Sequence, residues 1–160
     1  MTHALVLLSA LLIGVVAGLR ALTAPAVLAW TAMLGWLVLD GTWLEWLGHP
    51  ETVTVLTIFA VGELVMDQLP GVRSRTASLP FLGRLIAGGF AGAVVGTAWG
   101  YPIGGLGAGL IGAVLGTIGG YQVRTRLTTA SGGRDWPFAV LEDLVAVAGG
   151  VAVAALVAGL

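Results

Sequence analysis

Long apolar blocks alternate with short polar breaks along the chain. A block of roughly 20 mainly apolar residues suffices for a helix to cross a bilayer, so the breaks predict where one crossing ends and the next begins. The first block, residues 4–19, stops at Arg20-Ala21-Leu22-Thr23-Ala24-Pro25. It is short, which suits a tilted helix, a locally thinned bilayer or a half-helix. The second, residues 26–47, is rich in Trp, carries Asp40 and Glu45 toward its end, and turns at Gly48-His49-Pro50-Glu51. The third, residues 52–69, bears Glu63 and Asp67 ahead of Pro70-Gly71, which stops it. A polar loop with Arg73 and Arg75 follows, and Pro80 opens the next helix.

Between residues 81 and 123 the sole charge is Arg84. That stretch is too long for one crossing, and Gly100-Tyr101-Pro102 is a natural turn. It therefore divides into helices over 81–99 and 103–123. Arg124, Arg126, Arg134 and Asp135 mark a second polar loop, and residues 138–160 form the last block, with Glu142 and Asp143 in its first turns. The expected fold is an all-α integral membrane protein: a polytopic helical bundle of about six transmembrane segments in one domain, residues 1–160.

Composition agrees with this class. Hydrophobic residues make up 58% of the 160 and charged residues 9%, where a soluble domain carries about 25%. So few charges serve loops and helix ends when lipid meets the outer faces, and cannot coat a water-soluble globule. The run at residues 4–18 has the length of a secretory signal core. However, Met1-Thr2-His3 offers no basic residue and Arg20 follows the run, so it is expected to be retained.

The seven basic residues are all Arg, and they set the orientation. Arg73 and Arg75, with Arg84 close by, precede the fourth block; Arg124, Arg126 and Arg134 follow the fifth. One helical hairpin separates the two groups, so both lie on one side, and the positive-inside rule makes that side cytoplasmic. The turns at His49 and Tyr101 then face outward, as do both termini. The expected location is a cell membrane, multi-pass.

Glycine accounts for 26 residues. Gly88, Gly92, Gly96, Gly100 and Gly104 recur every four positions, and after Ala108 the series resumes at Gly112, Gly116 and Gly120. Such a step keeps positions near one helix face, drifting slowly around it, and leaves a ridge for close helix crossing. Packing within the hairpin, contact between subunits of a homo-oligomer, and a bend or ligand approach all fit the stripe. Gly89, Gly105, Gly107, Gly109 and Gly119 add a second small-residue face, which favours oligomers.

Ionised groups inside a span usually pair, line water or mark a pathway. Arg20 stands beside the helix break made by Thr23 and Pro25; it either belongs to a polar site or snorkels to lipid phosphates. Glu63 and Asp67, four apart, share a helix face. With Arg84, Glu142 and Asp143 they fall near the inner boundary, as an ion-pair cluster fixing helix register or as a polar vestibule. Asp40 and Glu45 read more simply as outer-side residues.

Absent chemistry narrows the function. Cys and Lys are missing, the two His are far apart, and no GxSxG or lysine-bearing phosphate loop occurs. No catalytic residue, cofactor or metal site is expected, and the chain is not expected to be an enzyme. A net charge of -1 offers nucleic acid no basic surface.

The segment AGLRALTAP, Ala17 to Pro25, resembles the AGLR…P opening of a family of small bacterial multi-pass inner-membrane proteins of unknown function. ELVMDQLPGV, Glu63 to Val72, is similar to that family's E-x-x-x-D-x-x-PG element. The resemblance implies the membrane class and a bacterial inner membrane as the location, and singles out Arg20, Thr23, Pro25, Glu63, Asp67, Pro70 and Gly71, without supplying a reaction. The expected function is passage of a small solute or ion through a polar site of Arg20, Thr23, Pro25, Glu63 and Asp67, with Arg84 and Glu142. The alternative is a structural or accessory membrane protein that oligomerises through glycine faces. The expected partners are membrane lipid, a small solute or ion, and copies of the chain itself.

Overall fold

The computed structural model describes residues 2–67, 78–132 and 136–159. Among them the regular structure is helical, in six α-helices: α1 His3–Leu19, α2 Thr23–Met33, α3 Pro50–Met66, α4 Ser78–Ala98, α5 Pro102–Ala130 and α6 Trp136–Ala158. A 3-10 turn, Glu45–Gly48, precedes α3. Arg73, Arg75, Pro70, Gly71, Arg134 and Asp135 lie outside the described residues.

Helices α4, α5 and the Pro137–Ala158 part of α6 are long and apolar enough to cross a membrane. The expectation of six such crossings is corrected to these three. Helices α1 and α3 have 17 residues each, about 25 Å of rise. Helix α2 has 11, about 16 Å, or half of a roughly 30 Å hydrocarbon layer.

The second block fails as one helix because of Gly35. Its φ is +72°, a left-handed conformation that costs glycine little. Trp36 N–H donates to Thr31 O (2.9 Å) and Gly35 N–H to Ala32 O (3.0 Å). This paired pattern terminates a helix and satisfies its last carbonyls. Gly41, at φ +71°, keeps the following chain in turns. Leu37, Leu39, Leu44 and Leu47 from this non-helical stretch are buried in the core, so its backbone packs on protein, as irregular chain inside a membrane requires. Asp40 is exposed in these turns. Glu45 Oε2 accepts the Gly41 N–H at 3.0 Å.

Helices α1, α4 and α5 form the tightest trio, with α5 running parallel to α1 and antiparallel to α4. A Cβ at Gly92 would come within 2.8 Å of Gly109 Cα, and one at Gly105 within 2.8 Å of Gly96 Cα. On its other side α5 meets α1: a Cβ at Gly116 would fall 3.0 Å from Val15 Cα, and one at Gly18 2.8 Å from Gly116 Cα.

The single ridge read across both helices therefore splits. On α4 the series Gly88, Gly92 and Gly96 faces α5, whereas on α5 Gly112 and Gly116 face Leu11 and Val15 of α1. Gly105 and Gly109, off the stripe, supply the face toward Gly88, Gly92 and Gly96. Gly100 packs nothing; its φ of +79° closes α4 by the same terminating pattern, Tyr101 N–H to Gly96 O at 2.8 Å. Gly104 faces Leu7, and Gly120 leaves room for Leu19 and Glu142. Of the second set, Gly105 and Gly109 meet α4 and Gly89 meets Leu110 of the same chain, while Gly107 and Gly119 have nothing within 4 Å.

Helix α6 packs on α1 and α2, while α3 lies outermost against α2 and the 3-10 turn. Only Val53 and Ala60 of α3 are buried. Large apolar side chains cover the outside, among them Ile58, Ile103 (84% exposed) and Leu144. Apolar cover on this scale is foreign to a water-soluble monomer.

Candidate functional site

The described arginines gather at one end of the bundle, where α1 and α3 stop and α4, α5 and α6 continue. Arg84 is six residues from the start of α4, Arg124 six from the end of α5, and Asp143 seven from the start of α6. At 1.5 Å per residue these three helices extend about 9–10 Å beyond the charged groups. The break between α1 and α2 lies at the depth of these charged groups.

Arg20 caps α1 in an extended conformation, φ -139° and ψ 110°, which turns its side chain into the bundle instead of onward along the helix. It has no exposed surface. Its guanidinium pairs with Asp67 Oδ2, at the end of α3, and with Asp143 Oδ1 on α6. The Asp67 and Asp143 side chains remain 17% and 12% exposed, so the carboxylates, and not Arg20, carry the exposed surface of this pairing. Arg84, 3.9 Å from Asp67 Oδ2, ties in α4. Arg124 lies 3.5 Å from Glu142 Oε2 and joins α5 to α6.

Glu63 does different work. Its Oε1 accepts the Ala21 N–H and its Oε2 the Leu22 N–H, both at 2.8 Å. These amides lead into α2, whose first N–H groups have no intrahelical acceptor. A carboxylate is also favoured by the positive end of the helix dipole. Thr23 begins α2, and Pro25 sits in its first turn, where a missing N–H costs nothing. Both are buried, and Thr23 Oγ1 has no hydrogen-bond partner among the described residues. On the neighbouring side Thr117 Oγ1 shares its proton between Gly18 O (3.1 Å) and Ala113 O (2.8 Å), which secures the last turn of α1 to α5.

The structure thus brings together Arg20, Glu63, Asp67 and Arg84, with Thr23 and Pro25 beside them. Glu142 is one step removed, engaged with Arg124. Asp143 is the partner of Arg20 that the sequence reading left out of the site. Neighbouring residues on a helix point about 100° apart, so only one of the acidic pair faces Arg20, and spacing alone does not say which. Asp67 and Glu63, alike on one helix face, divide their tasks between a guanidinium and a helix N-terminus.

Among the described residues no group of three or more His, Cys, Asp or Glu is arranged to hold a metal ion. At the opposite end of the bundle a 460 Å³ hollow is lined by His3, Leu7, Tyr101, Pro102 and Ile103 with neighbouring glycines. It is mainly apolar and holds none of the charged cluster; the Tyr101 hydroxyl contacts His3 Nε2 across it.

No curated protein and no solved structure is detectably similar to the chain. Residues 7–159, which contain every helix but the first turn of α1, match the family described as Domain of unknown function (DUF4126), and the chain belongs to that family.

Proposed function

We propose that the chain is a small multi-pass membrane protein, held in a bacterial inner membrane with its arginine end toward the cytoplasm, and that it passes a small solute or ion. The reading is of a non-enzymatic protein. The observation that carries it is Arg20: a fully buried guanidinium at a helix break, paired with two carboxylates that are partly exposed. Charge at such a position is expensive in hydrocarbon and marks ion and solute routes. Half-length helices that end on charged groups are a recurrent way of building them.

A second reading, a structural or accessory membrane protein, is favoured by the completeness of the Arg20 pairing, which suits a static lock between α1, α3 and α6. Oligomer formation through glycine faces would use positions such as Gly107 and Gly119, which meet nothing within the chain, because the main ridges close on each other.

Flux separates the two. Vesicles containing the purified chain are expected to release small electrolytes faster than empty vesicles, and Asp143→Asn, which keeps the side-chain volume, is expected to change that rate. Release equal to that of empty vesicles for every small solute, from protein that is folded by size-exclusion chromatography, overturns passage and leaves the lock.

A further inference from the structure

Glu63 and Asp67 between them engage four donor groups, which withdrawal of the two carboxylates would leave facing one neighbourhood. Asp67 meets the guanidinium groups of Arg20 and Arg84. Glu63 takes the N–H groups of Ala21 and Leu22. The hydroxyl of Thr23, the next residue along, is 4% exposed and without a hydrogen-bond partner among the described residues. Two cationic forks, two backbone amides at the start of an 11-residue helix and a hydroxyl in the same turn make a donor set for an oxyanion.

Both carboxylates that fill it come from α3. This helix rests chiefly on α2 and the 3-10 turn and buries just two apolar side chains, Val53 and Ala60. It is the element whose displacement gives up the least packing. The two carboxylates are one helical turn apart, so one movement of the end of α3 withdraws both.

We propose that the break between α1 and α2 is an anion cradle which the chain plugs with its own Glu63 and Asp67, and that the solute admitted there is a small oxyanion of the carboxylate or phosphate type. The assignment rests on the passage reading for its function, but the cradle itself is testable without transport. In the plugged state the side chains of Glu63 and Asp67 occupy the places of solute oxygens. Opening exchanges them for a solute at the same donors, and Asp143 remains to hold Arg20 in place.

The experiment is chemical rescue on the full chain in detergent, with acetate and inorganic phosphate as probes. Asp67→Ala removes one plug and leaves space beside Arg20 and Arg84. Its melting temperature is expected to rise with acetate or phosphate and not with equimolar chloride, while wild type responds little. In vesicles the same variant is expected to release acetate several-fold faster than wild type, with sodium and potassium release unchanged. Arg84→Gln added to Asp67→Ala is expected to abolish both effects; it spares the fully buried Arg20, whose loss endangers folding.

Rescue without acetate release keeps the cradle and removes passage. No rescue, or faster sodium or potassium release from Asp67→Ala, overturns the cradle. Stoichiometric lipid phosphorus retained by Asp67→Ala through purification, with no acetate response, makes a lipid headgroup the occupant and overturns the free-solute assignment.

Discussion

Arg20 keeps its charge with no solvent contact because two carboxylates from separate helices meet it. Such a pair is a poor source of net stability, since both partners lose hydration, but its disruption strands a buried charge. Arg20→Gln leaves Asp67 and Asp143 facing each other across a neutral amide, and is expected to destabilise the fold by about 3–5 kcal/mol. Arg124, 18% exposed and 3.5 Å from Glu142, belongs to a weaker class. Arg124→Gln is expected to cost about 1 kcal/mol or less. Thermal unfolding of both variants in one detergent checks the contrast. Equal losses mean that the Arg20 pairing carries no special weight in folding.

At the scale of helices, the glycines fall into two kinds that composition does not separate. A Cβ at Gly109 would fall 2.9 Å from Gly92 Cα, against backbone that has nowhere to move, whereas one at Gly107 would meet nothing within 4 Å. Gly109→Ala is therefore expected to part α4 from α5 and cost at least about 1–3 kcal/mol. Gly107→Ala is expected to be neutral or to stabilise by up to about 1 kcal/mol through better helix propensity. Thermal melts of the two single variants decide this; comparable destabilisation would mean that α5 is packed on its outer side as well.

The same two residues show what was legible in the sequence. Small-residue recurrence announced close helix contact, and the breaks at Gly100-Tyr101-Pro102 and Arg20 were placed to within a residue or two. The rotation of α5 that hands Gly112 and Gly116 to α1 depends on where α1 lies, which is a tertiary fact. Gly35 and Gly41 were hidden because an apolar, tryptophan-rich surround is equally apolar in a helix and in a buried turn. In the site, the shared face of Glu63 and Asp67 followed from spacing. The choice of Asp143 over Glu142 followed from the rotation of α6, which spacing does not fix.

For the molecule as a whole, charge and length act together. Helix α5 has 29 residues, about 43 Å, and so outreaches a roughly 30 Å apolar layer. Its last turns, with Arg124 and Arg126, project beyond the layer if the Tyr101 end lies at the far boundary. Arg20 and Arg84 lie toward that same side, and the opposite end holds His3, Tyr101 and the turn at Gly100. One-sided arginine favours retention on the cytoplasmic side, so the charged cluster is expected to face the inside of the cell. The chain has no Cys, so single thiols report on this directly. Ser131 and Ile103 are exposed at opposite ends of the bundle. A thiol at Ser131→Cys is expected to react with a membrane-impermeant maleimide in inverted vesicles and stay unlabelled in intact cells with the outer barrier opened. Ile103→Cys is expected to do the reverse. Exchange of the two patterns would turn the charged cluster outward, so that a solute held at Arg20 is met from outside the cell. Labelling of both thiols from one side would mean that α5 does not cross, and the charged cluster would then lie in the plane of the membrane surface.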